Sequence, residues 1–87
     1  MNKNGPQRVA WNIRRLRVRL GKSQEQLAFD ADVDQGYISR IERGQENPTV
    51  SMLDRIAKAL NVATADLLAQ PKGERPKPLP SGRKPKR

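Results

Sequence analysis

The sequence predicts an all-α fold: five short helices followed by a basic tail. Three observations carry this. Apolar residues recur at spacings of three and four, the period of a helix face. The segments that hold them open on Ser23, Asp34, Thr49 and Thr64, residue types whose side-chain oxygens satisfy the free backbone donors of a helix start. Composition then breaks abruptly at Pro71.

The first seven residues are polar and include Gly5-Pro6, so residues 1–7 read as a flexible arm before a helix that starts near Gln7 or Arg8. In this first helix Val9, Ile13, Leu16 and Leu20 form the apolar stripe, and Arg8, Arg14, Arg15, Arg17 and Arg19 occupy the other faces. Gly21 ends it. Trp11 and Val18 lie off the stripe on one side, either as a second contact surface or as cover for the edge of the core. Ser23 caps the second helix, with Gln26 three residues on completing a capping-box pattern, and this helix runs to about Ala31.

Asp34 caps a third helix from Gln35 to Arg43. Gly44 stops it, because a left-handed residue is cheapest without a side chain. Thr49 caps a fourth helix whose Leu53, Ile56, Ala57 and Leu60 share a face, and Thr64 caps a short fifth ending near Leu68 or Ala69. The apolar stripes are core, joined by Leu27, Ala28, Val33, Ile38 and Ile41, since a domain of about 60 residues buries only roughly 60% of its unfolded surface and needs nearly all its apolar side chains inside. Glu42 is expected to pair with Arg14 or Arg17. The domain therefore spans 8–70. The remaining residues, 71–87, hold five of the seven prolines, seven basic residues and one acidic one, and read as a disordered tail unable to offset its ordering entropy by burial.

Eighteen Lys and Arg against nine Asp and Glu give a formal charge of +9, which points to a polyanionic partner. With neither Cys nor His, the chain lacks thiolate zinc ligands, a nucleophilic thiol and the commonest general base. No nucleophile–base pair, phosphate loop or metal cluster is visible, so neither an enzyme nor a cofactor or metal is expected, nor a small-molecule ligand. No apolar run approaches a membrane span and the amino terminus lacks the apolar core of a signal peptide, so a cytoplasmic, nucleoid-associated protein without membrane contact is expected.

Ser23 to Gly44 thus reads as two short capped helices joined by a tight turn, a helix-turn-helix pattern in a basic chain. Ile13-Arg14-Arg15-Leu16-Arg17, Ser23-Gln24-Glu25-Gln26-Leu27-Ala28, Ile38-Ser39-Arg40-Ile41-Glu42-Arg43-Gly44, Asn47-Pro48-Thr49 and Ile56-Ala57-Lys58-Ala59-Leu60 together resemble the Cro and phage-repressor, or XRE-type, family over about residues 9–69. The stretch Val33–Ser39 is also similar to controller proteins of restriction–modification systems, although Gln35-Gly36 stands where Arg-Thr is usual. Asp32 departs too, occupying the inter-helix turn where the family usually has Gly.

The resemblance implies a lambda-repressor-like domain that binds double-stranded DNA as a homodimer, with the third helix entering the major groove of a palindromic operator. A transcriptional regulator, in particular a repressor, is implied. Base-reading positions would be Gln35, Gly36, Ser39 and Arg40: Gln pairs with adenine, Arg with guanine, Ser with either, and Gly leaves room for close approach. Gln24, Tyr37 and Arg43 would touch phosphate. Val62, Leu67 and Leu68 are the candidates for the dimer contact. The alternative is a protein–protein adaptor of the same fold, a bridging coactivator or an antitoxin.

Overall fold

A computed structural model describes residues 4–70, and within them five helices follow in order: α1 (Gly5–Arg19), α2 (Gln24–Ala31), α3 (Gln35–Glu42), α4 (Val50–Ala59) and α5 (Thr64–Leu68). The tail read from the sequence lies outside the described residues, as do positions 1–3.

The start of α1 corrects the expected one. Asn4 caps it: its Oδ1 accepts from the Gln7 backbone N–H at 3.0 Å, and the Gln7 side chain accepts from the Asn4 N–H at 3.3 Å. Gly5-Pro6, which the sequence places in a flexible arm, form the first turn, where proline's missing donor would be unbonded in any case. In α2 the Ser23 hydroxyl does accept from the Gln26 N–H, but the Gln26 amide turns to Asp30 Oδ1 at 2.8 Å, so the capping box is only half formed. Thr64 is inside α5 rather than its cap. Ala63 holds the cap position, its N–H donates to Asp66 Oδ2 at 3.0 Å, and the Thr64 hydroxyl donates to Asp54.

Each of the first four helices stops on a left-handed residue: Gly21, Asp32, Gly44 and Asn61. The same pair of backbone hydrogen bonds follows each time; after α2, for example, Asp32 N–H donates to Phe29 O and Val33 N–H to Ala28 O. Asp32, at φ 58° and ψ 50°, pays a steric cost that glycine would avoid. Arg55 of α4 supports this turn, donating from Nε to Ala31 O at 3.2 Å and from Nη2 to Asp32 O.

The core gathers Val9, Ile13, Leu16, Leu27, Ala28, Ile38, Ile41, Leu53, Ile56, Ala57 and Leu60 with Ala31 and Leu67, while Val33 packs at its edge. Two expectations fail here. Leu20 follows the last turn of α1 and is exposed. Leu67, proposed for a dimer contact, is fully buried at 0% exposure.

Asn12 ties the backbone at Leu67 to α1. This residue is the buried polar side chain of the described core, and its Nδ2 donates to Leu67 O at 2.9 Å and Ala69 O at 2.8 Å. Two carbonyls at the end of α5, which a five-residue helix leaves without internal donors, are satisfied from α1. Helix α5 packs between α1 and α4, and α2 packs on α3 and α4. No described helix is long and apolar enough to cross a membrane.

Candidate nucleic-acid interface

The three residues Asp32, Val33 and Asp34 join α2 to α3, and Asp34 Oδ2 accepts from the Tyr37 N–H at 3.2 Å to cap the second of these helices. Ile38 and Ile41 pin α3 to the core. Its opposite side carries Gln35 and Arg40, both exposed, with Gly36, Tyr37 and Ser39 half-buried and Arg43 exposed at the far end. All four positions assigned to base reading therefore lie on one helix, beginning at its first residue.

Several of these side chains already have partners. Arg40 Nε donates to Glu46 Oε2 at 2.8 Å, and its guanidinium sits 5.8 Å from the centre of the Tyr37 ring, a cation–π distance. Arg43 Nη1 donates to Ser39 Oγ at 2.6 Å and its Nε to Gln45 Oε1 at 3.1 Å. The Ser39 hydroxyl accepts in that pair, which leaves its own proton to donate. A Cβ at Gly36 would meet Asp34 Oδ2 at 2.8 Å and Arg40 Nη1 at 3.4 Å, so glycine lets the cap and the guanidinium crowd the start of α3. Burial, and then the nearby Glu46 carboxylate, push the Tyr37 phenol above its ordinary value, which keeps it a hydrogen-bond donor at neutral pH.

Behind this surface Glu42 ties three helices together. Its Oε2 accepts from Arg17 Nε at 2.6 Å; Oε1 accepts from Arg17 Nη2 at 2.9 Å and from Gln24 Nε2 at 3.0 Å. Arg17 Nη1 donates further to Lys22 O at 2.8 Å. The hydrogen bonds to Glu42 raise the Arg17 pKa above its already high value. Of the two partners open from sequence, Arg17 is the one used. Gln24, assigned to phosphate, thus stands at the start of α2 with its amide committed to Glu42.

Glu46 and Arg55 were not foreseen. Glu46 meets Arg40 across the turn that follows α3, and Arg55 of α4 reaches carbonyls 23 and 24 residues earlier, neither of which a helical spacing reports. Phe29 is a further surprise, the single phenylalanine of the chain standing 80% exposed on α2. Trp11 is half-buried and Val18 59% exposed, and they line one shallow groove with Arg14 and Arg15.

A helix pinned by its inner face, capped at its entry and presenting amide, hydroxyl and guanidinium groups outward, across a three-residue turn from a second helix, defines a helix-turn-helix domain. The chain belongs to the Helix-turn-helix family, whose model matches residues 13–67. The proteins it resembles in this family include a transcription factor and restriction–modification control proteins. Over 63 residues it is 41% identical to a hypothetical transcription factor of Neisseria meningitidis serogroup B, covering 72% of this chain but 59% of that protein's length. Over 54 residues it is 48% identical to control protein C.BamHI of Bacillus amyloliquefaciens, covering 59% of this chain and 67% of that one. Among solved structures, the restriction-modification controller protein C.AhdI from Aeromonas hydrophila is similar at a TM-score of 0.69 and 34% identity, over 71% of this chain and 94% of that one. The resemblance read from five sequence blocks, including that to controller proteins, is borne out.

Proposed function

We propose that the chain is a transcriptional repressor that binds a palindromic operator as a homodimer, acting on nucleoid DNA in the cytoplasm. Helix α3 of each protomer enters the major groove, with half-sites about one helical turn apart. The observation that supports this most directly is the exposure of Gln35 and Arg40 on one side of a helix whose other side is locked by Ile38, Ile41 and Glu42. Gln35 reads adenine and Arg40 guanine, Ser39 adds a weaker contact, and Gly36 permits close approach. Tyr37, Arg43 and the start of α2 at Gln24 hold phosphates, the last through backbone donors, since its amide serves Glu42. With Leu67 buried, the dimer contact falls to Leu68, Val62 and their neighbours.

The exposed Phe29 favours the second reading, a protein–protein adaptor, because an aromatic ring left in water is a ready contact for another protein. Selection from a random DNA pool by the purified chain, at stated salt, separates the two. Enrichment of an inverted repeat is expected; recovery of no preferred sequence would favour the adaptor.

A further inference from the structure

The Arg40 guanidinium is held from three sides, and only one of them involves a residue outside α3. Its Nε donates to Glu46 Oε2 at 2.8 Å, its Cζ lies over the Tyr37 ring at 5.8 Å from the centroid, and its Nη1 reaches over Gly36, where a Cβ would come within 3.4 Å. Tyr37 and Gly36 are three and four residues toward the start of α3, so the side chain leans along the helix toward Gln35, as helical side chains do. With Nε committed, the Nη1–Nη2 edge is the one left for a paired contact to guanine O6 and N7.

A carboxylate beside a DNA-reading surface is electrostatically unfavourable, because it repels phosphate and offsets part of the charge of Arg40. Its presence there calls for a compensating role. We propose that Glu46 is a positioning residue for specificity: its hydrogen bond to Nε holds Arg40 with the terminal guanidinium edge facing the base, at the expense of affinity for DNA in general. This rests on the assignment of α3 as the base-reading helix. An arginine without that restraint would sweep between neighbouring phosphates and bases, contributing to binding everywhere and to discrimination little.

The test compares Glu46→Ala, Glu46→Gln and wild type on the selected operator, on the operator changed at the base pair that Arg40 reads, and on random duplex. Gln retains an oxygen that can accept from Nε but carries no charge. Glu46→Ala should lose about fivefold or more of the discrimination at that one base pair, the lower end of what a bidentate arginine–guanine contact supplies. Glu46→Gln should retain the discrimination while binding all three duplexes more tightly. In an Arg40→Ala background, Glu46→Ala should move the ratio no further.

Unchanged discrimination in Glu46→Ala would overturn the proposal, as would a loss in Glu46→Gln equal to that in Glu46→Ala, since charge rather than hydrogen bonding would then be responsible. A further loss in the Arg40→Ala background would do the same. If wild type itself discriminates among none of the duplexes, the DNA-reading assignment fails, and this inference fails with it in a distinguishable way.

Discussion

Glu42 on the inner side of α3 is gripped by Arg17 of α1 through both carboxylate oxygens, with only 5% of its side chain exposed. The helix that faces outward with Gln35 and Arg40 is thereby fixed from behind by a paired charge. Removing one partner leaves the other charge buried. Arg17→Leu or Glu42→Leu should cost about 3 kcal/mol or more, and the double replacement less than the sum of the singles. Chemical denaturation of the three variants tests this, and strict additivity would contradict it.

Asp32→Gly should stabilise the fold. The left-handed conformation at φ 58° costs a residue with a Cβ roughly 1 kcal/mol. The side chain that would be lost is fully exposed and stands 3.6 Å from Arg55, a surface pair of little worth. The more flexible unfolded chain offsets part of the gain. A net rise of about 0.5 kcal/mol is expected, or roughly 2–4 °C in melting temperature for a domain of this size. A lowered melting temperature would show that the Asp32 side chain contributes more than its exposure indicates.

Arg40→Ala should weaken operator binding by about 1–3 kcal/mol and relax the preference at one base pair, leaving random duplex less affected. Competition binding against a set of single-base operator variants measures this. Equal loss on specific and random DNA would instead make Arg40 a phosphate contact.

Removal of residues 71–87 deletes seven basic residues and one acidic one. Each phosphate that they neutralise contributes about 0.9 to the slope of log affinity against log salt, so the truncated chain should show a shallower slope with its preferred site unchanged. A changed preferred site would mean that this segment reads bases itself.

Acid sensitivity has an identifiable contributor. Hydrogen bonds from Lys22, at 2.8 Å, and from Gln26 hold the Asp30 carboxyl below the usual carboxylate range. A lowered folded-state value means that the unfolded chain binds the proton more readily. The contribution is therefore complete above the unfolded value, near pH 4, and lost as pH falls through the lower folded one. The stability gap between wild type and Asp30→Asn should be constant near neutrality and close as the solution is acidified below about pH 4. A gap that persists would locate the effect elsewhere.

The legible parts of the fold were those encoded within a few residues. Ser23, Asp34 and Thr49 each accept from a backbone N–H three positions on, and the sequence places all three correctly because the partner is local. Asp32 stood out for the same reason, as a non-glycine at a helix exit. Asn12 was illegible because its acceptors lie 55 and 57 residues away, and an asparagine at the edge of an apolar stripe looks solvent-exposed until α5 folds over it. Leu67 misled for the complementary reason: the family resemblance puts the dimer contact on the fifth helix, and which of its leucines faces inward depends on α1, 55 residues away, packing over it. That Gln35 and Arg40 stand on the outer side of α3 follows from the local pattern that Asp34 opens and Ile38 and Ile41 anchor. That Glu46 would hold Arg40, and that Gln24 would turn inward to Glu42, depends on how a turn folds back, and no spacing rule reports that.

Gly36 links two jobs that are elsewhere separate. Gln35 and Arg40 can be exchanged without touching the Asp34 cap that starts their helix, whereas any side chain at 36 must move the Asp34 carboxylate aside. Because that carboxylate is the free end of a short side chain, it can yield. Attempts to retarget the domain to a new operator should find Gln35 the freest position, Ser39 and Arg40 tied to Arg43 and Glu46, and Gly36 a position at which altered preference comes bundled with a loosened helix entry.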